Sequence, residues 1–450
     1  MSALTEDRIP TSNVLIYSAP AFGVFMSGTL VSMYLLKFST DVLLMAPAVV
    51  GTILLLARVW DAVTDPATGW LSDRTKTRFG RRRPWMFGSA LPLGLSVVML
   101  WSPPETLNGT ALTIWVCIAV ILFYTTYTTF RVPHIALGAE LSRGYHDRTR
   151  VFGILQSVEI VGMLATAGLV IVLEQSEDPR MIARSLAVAI AITTAIIILL
   201  SVWRLKERAE FQGRGEENPW RAFSDVIKNT HARILVGAIF LEMLGFMTLV
   251  ALLPYLSDYV VNSPGSTGIY LFASMTSALV SIPFWMWLAR RIGKIRAWTY
   301  SLSAKAISFA ALFTIGEGDF ERAVIQSAIF GLAHGCGPVI GASLKADIVD
   351  SDEAVTGQRK EATFFAAWTF AEKLATGLAA WCVGLMLSAV AFVPNAVQTP
   401  QTIFAISATI SALPAVAHIF AIFALSKFKL DESAHRKARQ QAEEESPSAA

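Results

Sequence analysis

The chain has 450 residues, of which 54% are hydrophobic and 16% charged, and its mean hydropathy is +0.52. Soluble domains carry roughly 45–50% apolar and about 25% charged residues, whereas the apolar stretches here run to about 20 residues, the length of a helix that crosses a bilayer core. A soluble enzyme, a nucleic-acid binder and a secreted disulfide scaffold are excluded on this ground; the net charge of +3 says less than where the charges fall.

Residues 1–13 are polar and mixed in charge, without the basic segment, short apolar core and cleavage site of a signal peptide. Apolar runs then predict twelve membrane helices, near 11–38, 43–72, 84–101, 110–140, 149–174, 182–203, 231–260, 266–290, 296–316, 321–348, 360–390 and 400–427. Lipid accepts only helices or closed barrels, and a barrel strand alternates with period two; AIAITTAIIILLSVW at 190–204 does not alternate. The longest polar connection divides the chain into an N-terminal six-helix bundle over 1–203, a central loop over 204–230 and a C-terminal bundle over 231–427. A polar tail over 428–450 is expected to be a frayed helix or disordered. Lys and Arg crowd 73–83, 143–150, 204–230 and 290–296 and are absent from 102–109, 261–265 and 391–399. The positive-inside rule therefore puts the basic loops and both termini in the cytoplasm, as expected of a multi-pass protein of a bacterial inner membrane.

DPATGWLSDR (65–74) resembles IPFWMWLARR (282–291), with Pro66, Trp70 and Leu71 falling on Pro283, Trp287 and Leu288. Each copy closes the second helix of its half, the pattern of a two-fold-repeat transporter. The acids do not repeat: Asp61 and Asp65 fall on Ala278 and Ile282.

An ionisable side chain at mid-membrane costs about 3 kcal/mol on insertion scales, so those within spans are functional candidates. Asp61 and Asp65, four residues apart, share one helix face. Carboxylates that close repel, and a bound Na⁺ or H⁺ relieves the repulsion; Thr64 adds a hydroxyl. The same acids could instead pair with Arg58 or Lys373 and only hold the bundle. Lys373, a turn into the eleventh span, reads either as a lysine snorkelling to the surface or as a charge partner that is exchanged when the cation binds. Its neighbour Glu372 points elsewhere by about 100°, so one of the two needs another environment. Arg131, just before Pro133, needs a partner: an anionic substrate group, or Asp61 or Asp65. His134 is a substrate donor or a structural polar residue, and Glu159 and Glu242 are structural polar residues or members of a charge network. At the cytoplasmic end, Asp73, Arg74, Arg148 and Arg150 form a candidate gate, paired in one transport state only. The Arg81–Arg83 triplet reads as attraction to anionic lipid. Cys117, Cys336 and Cys382 lie apart in apolar segments without metal spacing. No phosphate-binding lysine loop and no catalytic set is present, so transport is expected to run on an ion gradient.

LLLARVWDAVTDPATGWLSDRTKTRFGRRRPW (54–85) and LKADIVDSDEAVTGQRKEATFFAAWTFAEKLATG (344–377) resemble two signatures of the glycoside–pentoside–hexuronide:cation symporters of the major facilitator superfamily, which include melibiose permease. The resemblance implies an all-α fold of twelve helices in two bundles and cation-coupled symport. It carries the paired carboxylates onto Asp61 and Asp65, a third ligand, usually an amide, onto Thr64, the helix 4 threonine of the cation site onto Thr128, and the helix 11 lysine onto Lys373. The sugar site does not carry over: the sugar-holding acids fall on Phe25 and Arg131, and the stacking aromatic near Ile135. Arg131 favours a carboxylate, sulfonate or phosphate. FRVPHIAL (130–137) also resembles the sodium-dependent lysophospholipid symporters of animals. The expected substrate is therefore a sugar, glycoside or acidic sugar derivative or, alternatively, an anionic amphiphile. Tyr34, His134 and Trp368 join Arg131 as expected wall residues. The expected protein is a lipid-embedded monomer with no cofactor beyond the coupling ion and no nucleic-acid partner.

Overall fold

A computed structural model of the chain describes residues 9–141, 145–205, 207, 229–356 and 361–428. Among the described residues all regular structure is helical. The first half holds α1 (Thr11–Asp41), α2 (Pro47–Arg74), α3 (Arg83–Trp101), α4 (Gly109–Leu141), α5 (Tyr145–Glu174) and α6 (Pro179–Arg204). The second holds α7 (Thr230–Tyr255, prolonged by a π turn, Leu256–Val260), α8 (Thr267–Ile292), α9 (Lys294–Leu312), α10 (Phe320–His334), α11 (Cys336–Thr356), α12 (Glu361–Ala389) and α13 (Pro400–Leu425).

The twelve expected spans are thus thirteen helices, because the tenth breaks at Gly335 into α10 and α11. Eleven spans are long and apolar enough on composition to cross a membrane. The ninth, α9, carries Lys294, Arg296 and Lys305 in 19 residues, and it packs along α10 and α13 inside its bundle. The expected tail, 428–450, lies outside the described residues except for Phe428, as does most of the central loop.

Contacts divide the chain into two compact units, Met1–Glu217 and Asn218–Ala450. In the first, α1 lies against α5 and α6, α2 against α4, and α3 against α4 and α6. In the second, α7 lies against α12 and α13, α8 against α10, and α9 against α10 and α13. With α10 and α11 counted as one span, these main pairings match between the two units. The repeated sequence fragment recurs too: Pro66 and Pro283 sit inside α2 and α8, and Arg74 stacks over Trp70 at 4.1 Å as Arg291 stacks over Trp287 at 4.9 Å.

Small residues let backbones meet where no water drives association. A β-carbon added to Gly331 would come within 2.0 Å of the Ser274 carbonyl oxygen, which fixes how closely α10 crosses α8. Large apolar side chains such as Leu91, Trp203, Ile307 and Phe420 are exposed on the outer faces, as lipid-facing side chains are. Asp61, Glu159 and Lys305 are instead buried.

Candidate functional site

The i, i+4 spacing on α2 brings Asp61 and Asp65 to one face, and α4 meets that face with Thr128. The Thr128 hydroxyl oxygen lies 2.7 Å from Asp61 Oδ1 and 2.8 Å from Asp65 Oδ1. The one hydroxyl thus lies within hydrogen-bond distance of both carboxylates, and all three groups offer oxygen to a cation. Asp61 and Thr128 are each only 1% exposed. Arg58 lies 3.6 Å from Asp61 Oδ2, stacks over the Tyr124 ring at 4.5 Å and donates to Ser32 at 2.6 Å. The Thr64 hydroxyl donates to the Asp61 backbone carbonyl at 3.2 Å. Pro66 has no N–H for the Ala62 carbonyl, which leaves another oxygen without its helical donor on this turn. Carboxylate, hydroxyl and carbonyl oxygens are what a hard cation takes. Among the described residues no three His, Cys, Asp or Glu gather as a softer metal would require.

Arg131 takes the partner that its insertion cost demands, and that partner is Glu159 of α5, in an ion pair. Its side chain is 21% exposed and that of Glu159 is 6% exposed. Phe25 and Arg131, the positions that family resemblance gives to sugar-holding acids, are neighbours, with the guanidinium 5.9 Å from the ring centre. The other expected wall residues sit differently. His134 is fully buried, stacked on Tyr17 at 4.4 Å and on Phe130 at 4.9 Å, with Nε2 2.8 Å from the Tyr17 carbonyl. Tyr17 returns the contact by donating to the His134 carbonyl at 3.1 Å. This clamp between α1 and α4 uses both groups and turns His134 away from any open surface. Tyr34 is 4% exposed and packs near Trp101, and Trp368 is fully buried among Phe364, Leu344 and Ile340. Both are buried in this conformation.

Lys373 is half-buried on α12. The environment that Glu372 needs is supplied by Lys345 of α11, 2.9 Å away. At the other end of α2, Asp73 pairs with Arg82 and lies 3.5 Å from Arg81, while Glu140 of α4 lies 2.6 Å from Arg81 and 3.4 Å from Arg82. Arg81 and Arg82 are each 6% exposed, so their reading as lipid-attracting charges is corrected: buried ion pairs hold them. Arg83 donates to the Val202 carbonyl at the end of α6, at 2.8 and 2.6 Å. Glu207 accepts from the backbone N–H groups of Arg81, Arg82 and Arg83 at 2.7, 2.8 and 2.6 Å. Two expected gate residues lie elsewhere. Arg74 stacks on Trp70, and Arg150 ties α5 to the start of α1 through Asp147 (3.1 Å), the Ile9 carbonyl (3.1 Å) and Thr11 (2.7 Å). The side chain of Arg148 lies outside the described residues.

Sequence reasoning singles out Glu242 but passes over its partner. Lys305 of α9, 1% exposed, makes an ion pair with it. The signal was a lone lysine in the apolar run SLSAKAISFAAL. Glu140 and Glu207 are also passed over, because helix ends commonly carry acids and only the fold shows which basic groups they meet.

The family model for MFS/sugar transport proteins matches residues 16–432, and the chain belongs to that family. It is 26% identical to the isoprimeverose transporter of Lactiplantibacillus pentosus, over 96% of this chain and 91% of that one. It is 24% identical to sodium-dependent lysophosphatidylcholine symporter 1 of Gallus gallus, over 99% of this chain and 92% of that one. Among solved structures, the nucleoside transporter NupG superposes with a TM-score of 0.69 at 14% identity, covering 93% of this chain and all of that one. The fold is that of the major facilitator superfamily, and the protein is a multi-pass membrane transporter, not an enzyme.

Proposed function

We propose that the chain, as a member of this family, is a secondary active symporter that couples a monovalent cation, Na⁺ or H⁺, to a sugar, glycoside or acidic sugar derivative. The observation that carries the reading is the Thr128 hydroxyl shared by Asp61 and Asp65. A buried and a half-buried carboxylate that share one hydroxyl offer the oxygen ligands a small cation takes. Asp61, Asp65 and Thr128 are its ligands, with Thr64 beside them, and Arg58 and Lys373 balance charge when it is empty. Cation binding neutralises the acids and lowers the cost of occluding the loaded site, after which the two bundles alternate access. The Asp73–Arg81–Arg82–Glu140 cluster fits a cytoplasmic latch that biases one state.

The substrate class follows from charge as well as kinship. Glu159 already compensates Arg131, so an uncharged glycoside fits as it stands, and an acidic one must take Arg131 from Glu159. The similarity to the isoprimeverose transporter supports this class. The basic loops support cytoplasmic termini. A second reading, movement of an anionic amphiphile, rests on FRVPHIAL and on the lysophosphatidylcholine symporters. Proteoliposomes given an inward Na⁺ or H⁺ gradient and a panel of labelled sugars, uronates and lysophospholipids test both. Accumulation of a sugar or uronate that collapses with one of the gradients is expected. Accumulation of lysophospholipid alone selects the second reading, and no gradient-dependent uptake of any member overturns symport.

A further inference from the structure

The break between α10 and α11 falls at Gly335, within HGCGP, inside a segment that otherwise reads as one span, Phe320–Val349. Gly335 itself keeps helical torsions (φ −61°, ψ −13°) and donates to the Gly331 carbonyl at 3.2 Å, whereas Pro338 has no N–H for the His334 carbonyl, so the interruption is a missing helical bond. Glu242 of α7 stands at this break: a β-carbon built on Gly337 would lie 3.0 Å from its Oε1. From the other side α9 holds the carboxylate, Lys305 pairing with Oε1 and the Trp298 indole donating to Oε2 at 3.0 Å. Lys305 and Trp298 are 1% exposed, whereas the Glu242 side chain keeps 12%.

One helical turn further along the same face of α7, Phe246 stacks on His334 at 4.5 Å with 21° between the rings, and His334 stacks on Phe330 at 5.5 Å. The buried Nδ1 of His334 has no hydrogen-bond partner among the described residues. A flat aromatic surface, a bare ring nitrogen and a fixed carboxylate thus lie together around a helix break.

We propose that this face of the second unit is a substrate-contact site for a hydroxylated ring. Glu242 accepts ring hydroxyls, and the Phe246–His334 stack packs on the C–H face of the ring. Charge selects the class. Lys305 cancels Glu242, so nothing here draws a quaternary ammonium, yet each carboxylate oxygen has spent only one lone pair on α9 and keeps another for a hydroxyl. Lys305 and Trp298 act as positioning residues. The assignment rests on the transport reading above and narrows it to the sugar class.

The test uses the purified full-length protein, equilibrium binding of methyl β-D-glucopyranoside, D-xylose, D-glucuronate and lysophosphatidylcholine, and the cation-induced thermal shift as a separate readout. At least one sugar is expected to bind the wild type. Glu242→Gln is expected to weaken that binding about tenfold or more, with the cation response unchanged. Because Glu242→Gln strands Lys305, Phe246→Leu, which keeps apolar bulk and removes the stack, is the second variant, expected to weaken binding severalfold. A sugar bound equally by the wild type and both variants overturns the site and leaves symport standing. Failure of all three sugars to bind the wild type, with or without lysophosphatidylcholine binding, also overturns it. Absence of gradient-driven uptake of every compound is the distinct result that defeats the transport reading.

Discussion

Asp65→Asn isolates what the paired carboxylates do. In the wild type, both Asp oxygens lie within 2.8 Å of the Thr128 hydroxyl. Two charges held that way are no more than about 5.5 Å apart and repel by roughly 3 kcal/mol at an effective dielectric constant near 20. A bound cation removes this repulsion, so the repulsion adds to its binding energy. The asparagine is almost the same shape and keeps an oxygen for Thr128, but it abolishes the repulsion. It is therefore expected to weaken cation binding by about two orders of magnitude, since each 1.36 kcal/mol is a factor of ten. Thermal-shift titrations with Na⁺ at fixed pH, and across pH without Na⁺, report on whichever ion drives the wild type; choline replaces Na⁺ to hold ionic strength. Wild-type cation affinity in Asp65→Asn would refute the shared site.

Two further outcomes separate packing from chemistry. His134→Phe keeps the ring between Tyr17 and Phe130 but loses the contact with the Tyr17 carbonyl; a stability loss of about 1 kcal/mol with an unchanged substrate KM is expected, and a raised KM at wild-type stability would return His134 to the substrate wall. Glu207→Gln puts an amide N–H₂ against three backbone N–H groups at the start of α3; a loss of about 2–3 kcal/mol and a lower melting temperature are expected. Gly80 supports the fit, since it takes φ +104° and a β-carbon there would lie 2.3 Å from the Glu207 carboxyl carbon. An unchanged melting temperature in Glu207→Gln would show that this carboxylate does not hold the end of α6.

Some of this protein was already decided by its linear order. Helices had to form wherever about 20 apolar residues ran together, because lipid leaves a backbone no other partner. The i, i+4 spacing of Asp61 and Asp65 had to bring them to one face. The motif copies at 65–74 and 282–291 required a repeat, and the matching helix pairings in the two units show it. Other features depended on which helices meet. Arg131 needed a partner, but only the packing of α5 against its neighbours made that partner Glu159 in place of Asp61 or Asp65. His134 reads alike as ligand or clamp until α1 supplies Tyr17. Arg81 and Arg82 look like surface charges until α4 and α2 close Glu140 and Asp73 around them. The physical reason is common to all: a chain states the cost of placing a charge in a membrane, whereas the side chain that relieves the cost comes from a distant helix, and only tertiary packing selects it.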